Sequence, residues 1–368
     1  MLNEVPAQSF GRRPRGMVVI NDIPINWVEF EVVNNNHYQA DTFRIELPIS
    51  EQDEALTPQF WATEAPLLVE IFAGFPNDPE SYSNEDLKSL ILGEVDELEF
   101  NPQTALITLS GRNLAARFID NKTTEGFDNL TASQVATKLA ERRGLNAFVI
   151  TTTTKVGTFY SNTQSFSTYQ HTEWDLLTFL ANQENFSVFV NGNTLYFQPK
   201  AEPNDNPYVL QWQKTDEEYS YPRYNGKRLR LSRSLTMAKD VIVKVRSWNS
   251  KQKKPFTKVA RSTRNKGSRR QPGIQEYSYI FPGLTAEQAL QKAQQILRDI
   301  TAHEVKLMAE LPADNILTVD NIIQLAGTGT AFDQVYYVDS ITRRMSLTEG
   351  YNMTIAAKNH STESNILV

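Results

Sequence analysis

The chain has no cysteine among its 368 residues. Neither a disulfide framework nor a thiolate zinc site can be built, and stability has to come from packing. Histidine is almost as scarce. His37, His171, His303 and His360 stand apart, none with a second ligand at metal-binding spacing, so no metal site is assigned. No apolar run approaches the roughly 18 residues of a membrane-spanning helix, and no membrane span is expected. Arg12, Arg13 and Arg15 precede only the short apolar run from Met17 to Ile20 before Asn21 and Asp22 interrupt it, which is not the pattern of a secretory signal. A G-x-S-x-G nucleophile elbow and a P-loop are also missing. Gly327 and Gly329 open a dinucleotide-like pattern that lacks its third glycine and its following helix, so a plain turn is expected there. Asp96 with Glu99, or Glu94 with Glu97, supply the residue types of a glycosidase pair, but an acidic strand produces such pairs freely. No catalytic residue and no cofactor are therefore assigned, and the chain is not expected to be an enzyme.

What is present is charge, sorted by sign. The net charge is only −6. Residues 46–99 nevertheless hold 14 acidic side chains against the single cation Lys88, whereas residues 222–271 hold 17 basic side chains against the single anion Asp240. Opposite charges kept in separate blocks are usually presented to something outside the chain. The densest basic stretch, 249–273, has few apolar residues and contains Gly267 and Pro272, so it is expected to be an exposed loop. Its Lys251, Lys253, Lys254, Lys258, Arg261, Arg264, Lys266, Arg269 and Arg270 are the candidate interaction residues. Three outcomes fit them: a solvated loop, docking on an acidic surface such as the 46–99 block of a neighbouring copy, or nucleic-acid phosphates. Phe256 and Trp248 are the only aromatics close by, which argues against base stacking.

At roughly 150 residues per domain the length suggests two or three domains. From Gly16 to Phe118 the pattern is β: Val28, Phe30 and Val32 alternate with Glu29 and Glu31, and Phe43, Ile45 and Leu47 alternate with Arg44 and Glu46. The period then becomes helical. Thr131 and Gln134 form a capping box before Val135 and Leu139, and Gly144 is placed as a C-cap. His171 to Pro199 reads as a helix, capped by Thr172 and Asp175 and ended by Asn185, followed by a hairpin turning at Asn191 to Asn193. Trp174 on its apolar stripe is the candidate core anchor. After the Pro-punctuated 199–207 linker the strands return, interrupted by a helix over 285–302 that opens on the Thr285 and Gln288 capping box. The stretch from Val95 to Asn113 is echoed from Val338 to Asn359, a strand pair that returns at both ends. The expected fold is α+β and mainly β. It comprises an N-terminal β-barrel at 1–119, a middle α+β domain at 120–203, and a related C-terminal β-barrel at 204–368 that carries the basic loop and the 285–302 helix.

Taken in order, DTFRIELP from Asp41, ILGEVDELEF from Ile91, SGRNLAARFID from Ser110, TASQVATKLAERRGL from Thr131, FPGLTAEQALQKAQQIL from Phe281 and VYYVDSITRRMSLTEGYNMTI from Val335 resemble segments of a known family. It is the baseplate hub family of contractile-tailed bacteriophages, the late control protein D family with its Mu-like hubs, related to the N-terminal hub part of type VI secretion spike proteins. The resemblance implies a homotrimer whose two barrels per chain form a pseudo-hexameric ring, joining a six-fold tail tube or adaptor protein above to a three-fold spike below. It also implies tape measure and baseplate wedge proteins as neighbours, and a place in the virion tail after synthesis in the host bacterial cytoplasm. With no lysozyme-like insertion or β-helical spike before Val368, spike and wall-degrading enzyme are expected to be separate proteins. The basic stretch matches no motif of the family. A nucleic-acid-binding module acting through 222–271 is the alternative, and a peptidoglycan hydrolase ranks third.

Overall fold

The computed structural model describes residues 2–3, 13–36, 38–53, 56–123, 125, 127, 130–153, 171–199, 206–215, 221–234, 241–249, 254–263, 275–281, 283–301, 304–359 and 365–367. The chain is mainly β and divides into two compact units. The first comprises Met1–Asn206, Glu310–Asn321 and Asp339–Ile355, and the second Pro207–Ala309, Ile322–Val338 and Ala356–Val368. Residues from the C-terminal half thus contribute to both. No closed sheet is found among the described strands, and no described helix is long and apolar enough to cross a membrane.

In the first unit one antiparallel sheet runs in the order Ile23–Ile25, Arg15–Ile20, Leu68–Gly74, Lys88–Asn101, Leu106–Asn113, Thr42–Pro48 and Glu29–Asn35, and continues to residues 340–346 of the strand Val335–Ser346, itself paired with Gly350–Asn359. Strict alternation makes this sheet two-faced. Phe30, Val32, Ile45, Leu47, Val69, Ile71, Ile107 and Leu109 are buried to within 0% exposure on one side, while the intervening polar residues look outward. The segment 313–321 is fixed to this sheet by polar contacts. Buried Arg343 donates to the carbonyls of Asp314 (3.0 Å) and Leu317 (2.6 Å) and to Asn34 Oδ1 (3.1 Å). Lys88 donates to the Asn315 carbonyl (2.9 Å) and Asn315 to the Ala73 carbonyl (2.6 Å). Burial, then the neighbouring Arg343, push the Lys88 ammonium below the usual lysine range against the opposing pull of Asp314.

The helices of this unit start where the sequence signals them. Thr131 Oγ1 accepts from the Gln134 amide and Gln134 Oε1 from the Thr131 amide, which opens Ala132–Arg142. Thr172 and Asp175 repeat the arrangement at both 3.0 Å contacts for Glu173–Glu184, which ends at Asn185 in the left-handed region (φ 58°). Both helices cover one face of a three-stranded sheet, Phe186–Asn191, Thr194–Pro199 and, parallel to the latter, Asn146–Val149. Glu173 is 1% exposed and is held by Arg143 at 2.7 and 2.8 Å and by Arg142 at 3.3 Å, so its buried charge is paired.

In the second unit Tyr208–Gln213 lies parallel to Ile322–Ala326, which pairs in turn with residues 335–337. A separate sheet is formed by Gln275–Ile280, Val241–Asn249, Lys254–Thr263 and Asn365–Leu367, backed by the helix Ala286–Thr301. That helix opens with Thr285 and Gln288 exchanging hydrogen bonds of 3.2 and 2.9 Å.

Candidate interaction surface

The basic stretch is not a loop throughout: residues 254–263 form a strand, antiparallel to Val241–Asn249 in a register that sets Lys258 opposite Val245, Ala260 opposite Val243 and Arg261 opposite Ile242. The expectation of a loop over 249–273 is corrected there. The physical reason is its neighbour: nine residues of Val241–Asn249 pair with it in register, and pairing across strands supplies what the local pattern lacks. Val241, Val243, Val245 and Ala260 pack on Ala289, Ala293 and Leu297 of the helix behind. Of the candidate residues, Lys254 and Arg261 are exposed and Lys258 is half-buried on the side of Ala260. Lys251, Lys253, Arg264, Lys266, Arg269 and Arg270 lie outside the described residues.

The opposite face of this sheet carries residues that the charge count alone did not single out. Register places Ile242, Lys244, Arg246 and Trp248 on it, beside Pro255, Thr257, Val259 and Arg261 on one flank and Glu276, Ser278 and Ile280 on the other. Trp248 is 48% exposed and Ile280 75%. Lys244 pairs with Glu276, whereas Arg246 and Arg261 are both exposed. The signal was legible in VIVKVRSW, where the polar phase of the alternation holds two cations and the tryptophan.

The acidic block has its own surface. On the outer side of the first unit's sheet, Glu97 and Glu99 stand opposite Ser110 and Thr108, which lie beside Arg44 and Glu46, and these beside Glu31 and Glu29. Arg44 pairs with Glu46 (2.9 Å) and Arg344 with Glu29 (2.6 Å), so that among the described residues carboxylates outnumber cations on this side, Glu97 and Glu99 being exposed.

The assembled architecture, strands and both helical covers included, matches solved structures over nearly its whole length. A tail protein from Neisseria meningitidis MC58 superposes with a TM-score of 0.67 at 14% identity, over 95% of this chain and 97% of that one. The 43 kDa tail protein of prophage MuSo2 from Shewanella oneidensis gives 0.61 at 13% identity, over 95% and 98%. This chain has the fold of phage tail proteins. The same fold extends to an Escherichia coli component of the type VI secretion system, itself described as structurally similar to the T4 tail proteins gp27 and gp5, with a TM-score of 0.51 at 10% identity over 95% of this chain and 79% of that one. No protein-family model matches the sequence, and no curated protein matches it.

Within this tail-protein fold Asp96 and Glu94, one carboxylate of each pair considered for chemistry, are held by arginines. Asp96 is the extra residue of a bulge between Val95 and Glu97 and receives two 2.7 Å bonds from Arg112, which also holds Asp120; Glu94 is paired with Arg117. A general acid would need a carboxyl raised by its surroundings; among the described residues, burial raises that of Glu184, in the last turn of its helix. The Gly327 to Gly329 turn is filled by the chain itself. Asp333 accepts from the Thr328 amide (3.1 Å), the Thr328 hydroxyl (2.6 Å) and the Gly329 amide (2.8 Å). Burial raises its carboxyl, but these bonds outweigh it and hold it below the usual range. No phosphate could occupy amides already bonded to Asp333. Among the described residues no group of three potential metal ligands comes together; His171 lies on a short strand, and His37, His303 and His360 are outside the described residues. Trp174 is 6% exposed in the core of the first unit's helices.

Proposed function

We propose that the chain is a structural component of a phage tail baseplate: a homotrimeric hub that adapts a six-fold tail tube to a three-fold central spike, with no chemical step of its own. The observation that carries this is the likeness in fold to tail proteins over 95% of the chain and 97% of the Neisseria protein. Symmetry supplies the mechanism. Three copies that each present two related β units would offer six similar surfaces to the tube and three to the spike. The long strand pair Lys88–Asn101 with Leu106–Asn113, echoed by Val335–Ser346 with Gly350–Asn359, supports such a duplication. Likeness to a type VI secretion component supports a spike as one neighbour. In this proposal the tail tube or an adaptor, a separate spike, the tape measure and the wedge proteins are the partners, and the virion tail is the site of action. Electron microscopy of the purified chain with its spike and tube proteins tests it. Three-fold rings bridging the two are expected; a chain that remains monomeric and binds neither would overturn the proposal.

A further inference from the structure

We propose that the open face of the sheet formed by Gln275–Ile280, Val241–Asn249 and Lys254–Thr263 docks on the acidic outer face of the strands Glu29–Asn35, Thr42–Pro48 and Lys88–Asn101 of a second copy of this chain. The proposal rests on self-assembly and adds to it the two surfaces that meet.

One side of the basic sheet is covered by the helix Ala286–Thr301 through Ala289, Ala293 and Leu297. The other side presents Trp248 and Ile280 at 48% and 75% exposure, flanked by the exposed Arg246 and Arg261. Tryptophan and arginine are the side chains that most often anchor protein interfaces, and a large aliphatic left three-quarters in water is stabilised by being covered. The sign of the partner follows from the arginines. Its identity follows from the chain itself, which carries at equal stoichiometry a sheet face where, among the described residues, Glu29, Glu31, Glu46, Glu97 and Glu99 outnumber Arg44 and Arg344. Two faces of opposite sign on one chain make a heterologous contact, in which each copy gives one face and receives the other, and such contacts generate a ring where the rotation between copies closes. A polyanion such as nucleic acid would satisfy the arginines but leave Ile280 uncovered, and Trp248 offers only a single ring for base stacking.

Charge exchange tests the pairing. Arg246→Glu with Arg261→Glu changes only the basic face, Glu97→Lys with Glu99→Lys only the acidic one, and all four side chains are exposed, so circular dichroism and melting should match the unmodified protein. Sedimentation velocity is then expected to show self-association weakened roughly tenfold or more in either double variant, because each sets like charges against each other. The quadruple variant, with both signs exchanged, should recover association, a result that loss of folding cannot imitate. Double variants that associate as the unmodified chain does would overturn the contact while leaving the trimeric hub standing. Failure of the quadruple variant to recover would overturn it as well, and an unmodified chain that stays monomeric at every concentration would remove both proposals. Binding of a fluorescent single-stranded DNA oligonucleotide that is lost in Arg246→Glu with Arg261→Glu, with association unchanged, would reassign the face to nucleic acid.

Discussion

Trp174 shows how far a single residue can be understood from its own neighbourhood. Its place on an apolar stripe at helical spacing follows from Leu177 and Leu180, and the ring is indeed 6% exposed with Leu177 and Leu180 beside it in the same core. Its polar end is another matter. The indole Nε1 donates to the Tyr38 carbonyl at 3.0 Å, 136 positions earlier in the chain, and the ring lies 6.2 Å from that of Phe118. Tyr38 in turn donates its hydroxyl to the Phe186 carbonyl at 2.8 Å. Trp174→Ala would therefore remove core volume and the indole's hydrogen bond to the half-buried Tyr38 carbonyl, and a loss of about 3–5 kcal/mol is expected in chemical denaturation. An unchanged midpoint would show that the neighbouring side chains close the space. No local pattern points from Trp174 to Tyr38, because hydrogen bonding between distant residues depends on where the fold brings the backbone.

At the scale of the element, capping and alternation were legible because both act within a few residues. The three Thr-initiated boxes open helices at Ala132, Glu173 and Ala286. The basic strand was not legible, since charge density outweighed alternation in a stretch whose apolar phase contains only Phe256 and Ala260 inside and Val259 outside. What makes Lys254–Thr263 a strand is its neighbour: Val241–Asn249 offers nine residues in register, and pairing across strands supplies what local propensity lacks. Close approach between strands makes a second demand that sequence conceals. A Cβ at Gly111 would stand 2.1 Å from the Glu94 carbonyl oxygen and 2.6 Å from Phe43 Cζ, beside the bulge that turns Asp96 toward Arg112. Gly111→Ala is expected to cost about 1–3 kcal/mol or more by overpacking, measured as a lowered melting temperature. A melting temperature equal to the parent's would mean that the hairpin can shift to make room.

For the whole molecule, the decisive fact is that the compact units are not continuous in sequence. Strand Glu29–Asn35 is paired on one side by residues 340–346, more than 300 positions away, and Arg343 is hydrogen-bonded to Asn34. A fragment ending at Asn206 would lack that strand and the 313–321 segment, leaving Glu29–Asn35 as an unprotected edge. Such a fragment is expected to aggregate or to unfold without a cooperative transition; a sharp two-state melt would show that the N-terminal strands suffice alone. By itself the sequence determined the class of the protein: mainly β with capped helices, no cysteine chemistry, and charge sorted into an acidic and a basic block. These properties depend on composition or on interactions a few residues long. Only the tertiary structure decided which strands complete which sheet, that part of the basic stretch is a strand, and that its arginines share a face with Trp248 and Ile280. Strand partners are chosen by burial summed over whole faces, and that sum exists only when distant segments have come together.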